Sequence, residues 1–415
     1  MNSRIFAIAR HPTTHTIKDK TRKRIPDGSK FKKGTRYLQR MVKMGEVCTF
    51  NKEQGLFSGL KYVGMEHIES GTGIVVGGLN STEVKSNTFK FYRGDVLYGR
   101  LRPYLKKVFV AEHEGCCSTE IFPIKTTLNP YFLKYWFLSE EVTIKINKTC
   151  GGCRMPRANM NEVLTFNISF PPLEEQRRIV SILDASFEKI DALKKNAEEN
   201  LKNAKALFQQ VLAQELKPKE GWVEKKLGEV YDVRDGTHDS PKYHSDGYPF
   251  VTSKNLVNGI IDMNNVQFIS KEDYDKINER SKVDKGDILF AMIGSNLGHP
   301  AIVDFDPHFA IKNVALFKVP SNQLNRYLLY LLSSDMIMDR MNKNSNGSSQ
   351  PFVSLKFLRN FEISLPSLSE QHRIVQTLDT LSEKCRRLEQ VAQQTICECD
   401  ALKQSILRQA FSGEL

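Results

Sequence analysis

The chain has 415 residues, of which 40% are hydrophobic and 26% charged, and its formal net charge is +12. That balance is ordinary for a folded globular protein and excludes wholesale disorder; the length suggests two to four domains of about 100–200 residues. No run of about 18 apolar residues or secretory-type apolar leader is present, so neither a membrane span nor export is expected, and eight cysteines fit a reduced, cytoplasmic compartment better than a disulfide scaffold.

The charge sits at one end. Residues 1–43 hold 13 Lys or Arg against Asp19 and Asp27, which leaves the rest of the chain close to neutral. We read 1–40 as a basic, flexible extension. Global charge therefore argues little about what the folded part binds.

From about 41 to 171 the pattern changes to short β-rich runs broken by Gly, Asn and Asp, such as Lys61–Gly64 and Gly73–Val76. Within it, Tyr98–Lys107 carries Arg100, Arg102, Lys106 and Lys107 with two tyrosines and no acid. Such a loop suits a nucleic-acid backbone or base edge, and equally a solvated turn. An apolar helical stretch follows at Asn129–Val142, opened by Asn129-Pro130 as a helix start. Next comes Cys150-Gly-Gly-Cys153, flanked by Arg154 and Arg157. A CxxC pair offers two thiolates, whereas structural zinc needs four ligands, and no second CxxC exists in the chain.

At 171 a repeat becomes visible. Pro171–Asp184 recurs as Pro366–Asp379, and sliding by 195 aligns 156–214 with 351–409 without a gap, 22 of 59 positions being identical. Weaker echoes, such as Lys43–Val47 with Lys226–Val230 and Gly94–Leu97 with Gly286–Leu289, place a second copy of the front part at 217–366. The offset also maps Cys150 and Cys153 onto Ser345 and Ser348. The position therefore keeps a tight polar turn rather than sulfur.

Residues 172–216 read as one helix. Leu183, Phe187, Ile190, Lys194, Ala197, Leu201, Ala204, Phe208 and Val211 step by four and three, a heptad seam. Pro172 with Glu174-Glu175 starts the helix and Lys217-Pro218 ends it. The second copy, 367–415, has a weaker seam through Leu378, Ser382, Cys385, Glu389, Ala392, Ile396, Cys399, Lys403 and Ile406, flanked by Leu388 and Leu402. Each helix would run roughly 60 Å, too long for a typical globular core, so the two are expected to pair.

The second front part carries different chemistry at matched positions. Thr237, His238, Lys242 and Tyr243 lie in the polar loop Arg234–Tyr243. Ser295 and Asn296 stand where the first copy has its basic loop. Ser348, Ser349 and Gln350 stand opposite the CxxC turn. Amide and hydroxyl groups suit adenine edges, and arginine suits guanine. Phosphate-binding, dinucleotide, zinc-protease and serine-hydrolase signatures are all missing. The fold expected is α+β: two mixed domains in tandem, each followed by a long helix.

The paired Pro-x-Leu-x-Glu-Gln-x-Arg-Ile-Val motifs at 171–180 and 366–375, with the ending Leu407–Leu415, resemble the specificity subunit of type I restriction–modification systems over about 41–415. The resemblance implies a chain without catalysis of its own, cofactor or metal. Each front part would read one half of a bipartite double-stranded DNA site. The helices would form an antiparallel coiled coil, through Leu183, Phe187, Ile190, Leu201, Phe208, Leu378, Leu388, Ile396 and Leu402, that spaces the readers and docks two methyltransferase subunits. A helix of roughly 60 Å matches a footprint on the order of 15 base pairs. S-adenosylmethionine would belong to the methylase partners, and ATP and Mg to the restriction and translocase partners. Two other readings stay open: a subunit of a combined cleavage–methylation system, and a zinc or thiol protein built on Cys150 and Cys153.

Overall fold

The computed structural model describes residues 40–57, 59–76, 84, 86–151, 154–257, 259–294, 297–343 and 352–415. Residues 1–39 of the basic extension, Cys153, Ser295, Asn296, Ser348, Ser349 and Gln350 lie outside the described residues. The chain divides into two compact units. One runs to Ile190 and takes up Asp400–Leu415; the other is Asp191–Cys399.

The two units repeat one plan. In the first, strand Arg40–Lys43 pairs antiparallel with Asn167–Phe170. In the second, Val223–Lys226 pairs with Glu362–Leu365 in the same way. Each of these pairs leads into a one-turn helix whose glutamate, Glu46 or Glu229, accepts the backbone N–H of the residue before it, Lys43 or Lys226. A four-stranded antiparallel sheet follows in each unit. Its order is Cys48–Phe50, Ile121–Thr126, Val96–Gly99, Val108–Val110 in the first and Asp232–Asp235, Val314–Lys318, Ile288–Ala291, Pro300–Ile302 in the second. Beside it lies a mixed sheet, four-stranded in the first unit and three-stranded in the second: Tyr62–Val63 pairs parallel with Gly115–Ser118, and Tyr248–Thr252 with Ala310–Lys312. The expected strand at Gly73–Val76 reduces to one bridge, Val75 with Ile68.

The matched Gly-Asp pairs show why that part of the motif persists. Gly94 and Gly286 sit at φ 89° and 94°, backbone open to glycine without strain. The aspartate that follows folds back: Asp95 accepts the Tyr92 N–H at 2.8 Å and Asp287 the Asp284 N–H at 2.7 Å. Both carboxyls are buried, and burial raises their pKa.

The apolar helical stretch at Asn129–Val142 breaks in two, and so does its counterpart in the second unit. Pro130–Leu138, capped by the Asn129 side chain on the Tyr131 and Phe132 amides, gives way at Ser139 to Glu140–Asn147. Asn325–Leu332 gives way to Asp335–Lys343. Their apolar faces form the cores where each unit meets the long helices. Phe132, Leu133, Trp136 and Phe137 pack with Ile179, Leu183, Phe187, Leu407 and Ala410. Tyr327, Leu328 and Leu331 pack with Leu212, Leu216, Ile374 and Leu378.

The long helices are Leu173–Glu215 and Leu368–Ser412. Within each unit they lie side by side in opposite directions. In the first, Arg178 donates to the Leu415 carbonyl at 2.8 Å, and the Lys403 ammonium sits 5.0 Å over the Phe187 ring. In the second, Arg373 pairs with Glu215 at 2.5 Å and Lys219 with Glu370 at 3.3 Å. Every seam position expected on both helices is buried or half-buried, including the polar Lys194, Ser382, Glu389 and Lys403. Ala197, Ala204, Cys385 and Ala392 are buried along the second unit's stretch, small residues that let two backbones approach closely. Leu388 and Leu402 are 56% and 48% exposed, so they stand outside the seam.

One residue of the repeated motif ties each helix to its unit. Gln176, 3% exposed, accepts the Asn129 N–H at 2.8 Å and donates to the Pro171 carbonyl at 2.8 Å. Gln371, 0% exposed, accepts the Leu324 N–H at 3.2 Å and donates to Pro366 at 3.1 Å. Tyr135 with Asp184 and Tyr330 with Asp379 repeat a second clamp at the same offset.

Candidate nucleic-acid interface

In the first unit the basic loop follows the buried strand Val96–Gly99 and doubles over a turn, Pro103–Leu105. The flanking Arg102 and Lys106 both sit in left-handed backbone, at φ 51° and 50°. The loop is stitched to the CxxC-turn region: Arg102 donates its N–H to Pro156 O at 2.8 Å, and Ala158 N–H donates to Arg100 O at 3.0 Å. The two loops thus form one surface, joining residues separated by about fifty positions.

Most of the cations placed there are committed inward. Glu120 accepts from Arg100 at 3.0 Å and from Arg157 at 2.9 Å. Lys106 pairs with Glu140, and Lys107 donates to the Met65 carbonyl at 2.7 Å. Arg102 and Arg154 are exposed, with no partner among the described residues, and Tyr104 and Met155 are exposed beside them in the chain. Arg100, Arg157, Lys106 and Lys107 therefore build the surface, and Arg102 and Arg154 present charge from it. Sequence spacing cannot make this division, because Glu120 and Glu140 come from other elements.

Cys150 is half-buried. Its thiol contacts the Ile146 carbonyl at 3.7 Å, and burial raises its pKa, away from the thiolate a metal site needs. Among the described residues no group of three or more His, Cys, Asp or Glu is placed to hold a metal ion.

In the second unit the loop after strand Asp232–Asp235 is laid directly on strand Ala310–Lys312. A Cβ on Gly236 would come within 2.3 Å of the Ile311 carbonyl oxygen, so only glycine fits. Thr237 donates its N–H to Ile311 O at 3.0 Å. The His238 ring bridges two elements: Nδ1 lies 2.9 Å from Asn313 Oδ1, and Nε2 lies 3.1 Å from Asp235 Oδ2. Arg280 closes the cluster at 3.1 Å from Asp235. Asn313 itself is held at φ 53°. Lys242 and Tyr243 are exposed further along the loop.

This arrangement borders a cleft of about 680 Å³ that sequence reading missed. Tyr243, Lys254, Asn265, Gln267 and Lys312 line it. The cleft gathers five separate chain segments, and no periodicity encodes that. Its buried Asn255 is spent internally, accepting from Thr252 N at 2.9 Å and donating to the Asp262 and Asn265 carbonyls at 3.2 Å. Lys254 and Gln267 are exposed. A smaller cavity of about 430 Å³ adjoins it, sharing Ile293 and Asn313.

Each unit thus mounts exposed polar loops on a sheet and the long helices, arginine-bearing in the first unit and lysine- and amide-bearing in the second. Comparison with known proteins fixes the class. The family model for the type I restriction modification DNA specificity domain matches residues 39–203 and 219–397, and the chain belongs to that family. The EcoDI specificity subunit of Escherichia coli is 32% identical over 149 residues, covering 35% of this chain and 34% of that one. The EcoBI subunit from the same species is 27% identical over 277 residues, covering 60% and 58%. The EcoKI subunit of strain K12 is 25% identical over 304 residues, covering 68% and 65%. These alignments span between a third and two thirds of the relatives' lengths.

Two solved structures agree. One, from work on complex assembly and conformational transition of the type I R-M system, superposes with TM-score 0.77 at 26% identity, covering 94% of this chain and all of that one. The HsdS subunit of Thermoanaerobacter tengcongensis gives 0.53 at 25%, covering 91% and 97%. No helix among the described residues is long and apolar enough to cross a membrane.

Proposed function

We propose that this chain is the non-catalytic DNA-specificity subunit of a type I restriction–modification complex. The recognition domains, 41–171 and 217–366, each read one half of a bipartite double-stranded site. The helices 172–216 and 367–415 space the half-sites and dock two methyltransferase subunits, with a restriction and translocase subunit completing the complex. S-adenosylmethionine is then the methylase's cofactor, and ATP and Mg those of the translocase.

The observation that carries this reading is the contrast inside the repeat. Both copies keep the glutamine clamps, Gln176 and Gln371, in the same buried geometry. Their candidate reading surfaces differ: exposed arginines in one, an amide- and lysine-lined cleft in the other. A shared scaffold with divergent faces is what reading two different half-sites requires. In the first domain Arg102 and Arg154 are the readers, on a surface held by Arg100, Lys106, Lys107 and Arg157. In the second, Thr237, His238, Lys242 and Tyr243 act with Ser295, Asn296, Ser348, Ser349 and Gln350. Exposed Leu388 and Leu402 suit partner docking on the helices.

The test is methylation mapped in cells carrying the chain with a methyltransferase partner. Loss of one bipartite motif on deleting the chain supports the assignment; an unchanged methylation pattern refutes it.

A further inference from the structure

The smaller cavity beside the second unit's cleft enters the reading above only through His238. Its walls are Met292, Ile293, Phe352, Val353 and Leu355; His238 and Lys356 stand among its polar lining. Ile293 and Phe352 form a backbone bridge, and Val353 donates its N–H to Met292 O at 2.9 Å. The walls are therefore hydrogen-bonded to one another and preformed. Met292 and Val353 are buried, yet Phe352 leaves 40% of its surface exposed at the slot.

An apolar slot opening beside a lysine- and amide-lined cleft is unusual for a surface built to meet a polyanion. Lys254 and Lys312 line the cleft and Lys356 lines the slot, which suits phosphates on either side. Asp235, the slot's acidic group, is matched by Arg280 and His238, so no free carboxylate opposes DNA there. Only one base in DNA presents an apolar group in the major groove: the C5 methyl of thymine. The volume of about 430 Å³ leaves ample room for it.

We propose that this slot receives a thymine methyl group, with Phe352, Met292 and Ile293 as specificity-determining residues. The half-site read by the second domain then contains at least one A·T pair, recognised on its thymine side. The amide-bearing cleft alongside reads the neighbouring pairs by hydrogen bonds. The inference rests on the proposed role of the second domain as a half-site reader.

The experiment uses the full chain in complex with its methyltransferase subunits. The methylated motif is mapped first; absence of any chain-dependent motif overturns the broader reading, and this inference with it. Duplexes carrying the mapped motif are then made with each thymine in the second domain's half-site replaced singly by uracil, which lacks only the methyl. One replacement is expected to weaken binding about tenfold, the scale of one methyl in an apolar pocket. Phe352→Ala should bind thymine and uracil duplexes alike, while Phe352→Leu, which keeps the wall apolar, should retain part of the discrimination. Thermal denaturation of both variants checks that they fold. With the motif established, a second half-site lacking A·T pairs, uracil tolerated at every position, or undiminished discrimination in Phe352→Ala overturns the slot assignment while leaving the half-site reading standing.

Discussion

Gln371→Leu should loosen the second unit from its helix without touching any candidate reading residue. The side chain is fully buried and makes three hydrogen bonds: it accepts from Leu324 N at 3.2 Å and donates to the Pro366 carbonyl at 3.1 Å and the Gln323 side chain at 2.8 Å. Leucine fills nearly the same space but satisfies none of them. The Pro366 carbonyl and the Leu324 N–H are left without this partner, at about 1–3 kcal/mol for each buried group. Water can reach half-buried Leu324 more readily than buried Pro366, so the sum should fall near 3 kcal/mol. For a unit of roughly 200 residues that corresponds to a fall of about 6–12 °C in Tm. Urea denaturation followed by circular dichroism would measure the loss, and hydrogen exchange at the Leu324 amide would localise it. Gln371→Glu should be worse at neutral pH, because a carboxylate faces the Pro366 carbonyl it cannot donate to, and should recover partly in acid. A Gln371→Leu protein within 0.5 kcal/mol of the parent, with Leu324 still protected, would refute the clamp.

Arg102→Ala and Arg154→Ala should each weaken DNA binding by about 1–3 kcal/mol and relax specificity within the first domain's half-site, read by titration against duplexes substituted one base pair at a time and at several salt concentrations. Lys107→Ala should instead lower Tm, since Lys107 holds a backbone carbonyl; a larger effect on the salt slope than on Tm would reverse that division. Glu370 is held down to about 2 by Arg373 and Lys219. Its contribution is therefore complete above its ordinary value of 4.5 and lost as pH falls from there toward 2. Glu370→Gln should flatten the acid limb of a stability–pH curve, and an unchanged limb would count against the pairing. Ala392→Leu should cost about 1–3 kcal/mol by overpacking the helix seam, whereas Leu388→Ala, at an exposed site, should leave chemical stability nearly unchanged.

The scaffold was more legible in the sequence than the interface, for a physical reason. A seam stepping by four and three is a local property of one helix, so positions as unpromising as Lys194, Glu389 and Lys403 were placed correctly. Burial at a helix pair tolerates a long side chain whose charged end leaves the seam. The repeat likewise marked Gln176 and Gln371, although only coordinates show that they clamp a backbone amide and a proline carbonyl. The basic loop illustrates the opposite case. Six cations look alike in sequence, yet Glu120 and Glu140, from other elements, take three of them and the Met65 carbonyl a fourth. The second unit's cleft was invisible because Tyr243, Lys254, Gln267, Ile293 and Lys312 meet only through strand pairing between distant segments.

Two independent readers on one scaffold should be exchangeable one at a time. The most direct measurement is genome-wide mapping of methylated bases after residues 217–366 are exchanged for the matching domain of a relative. One half of the bipartite motif should change, while the other half and the spacer between them stay as they were. A motif in which both halves change, or neither, would contradict it.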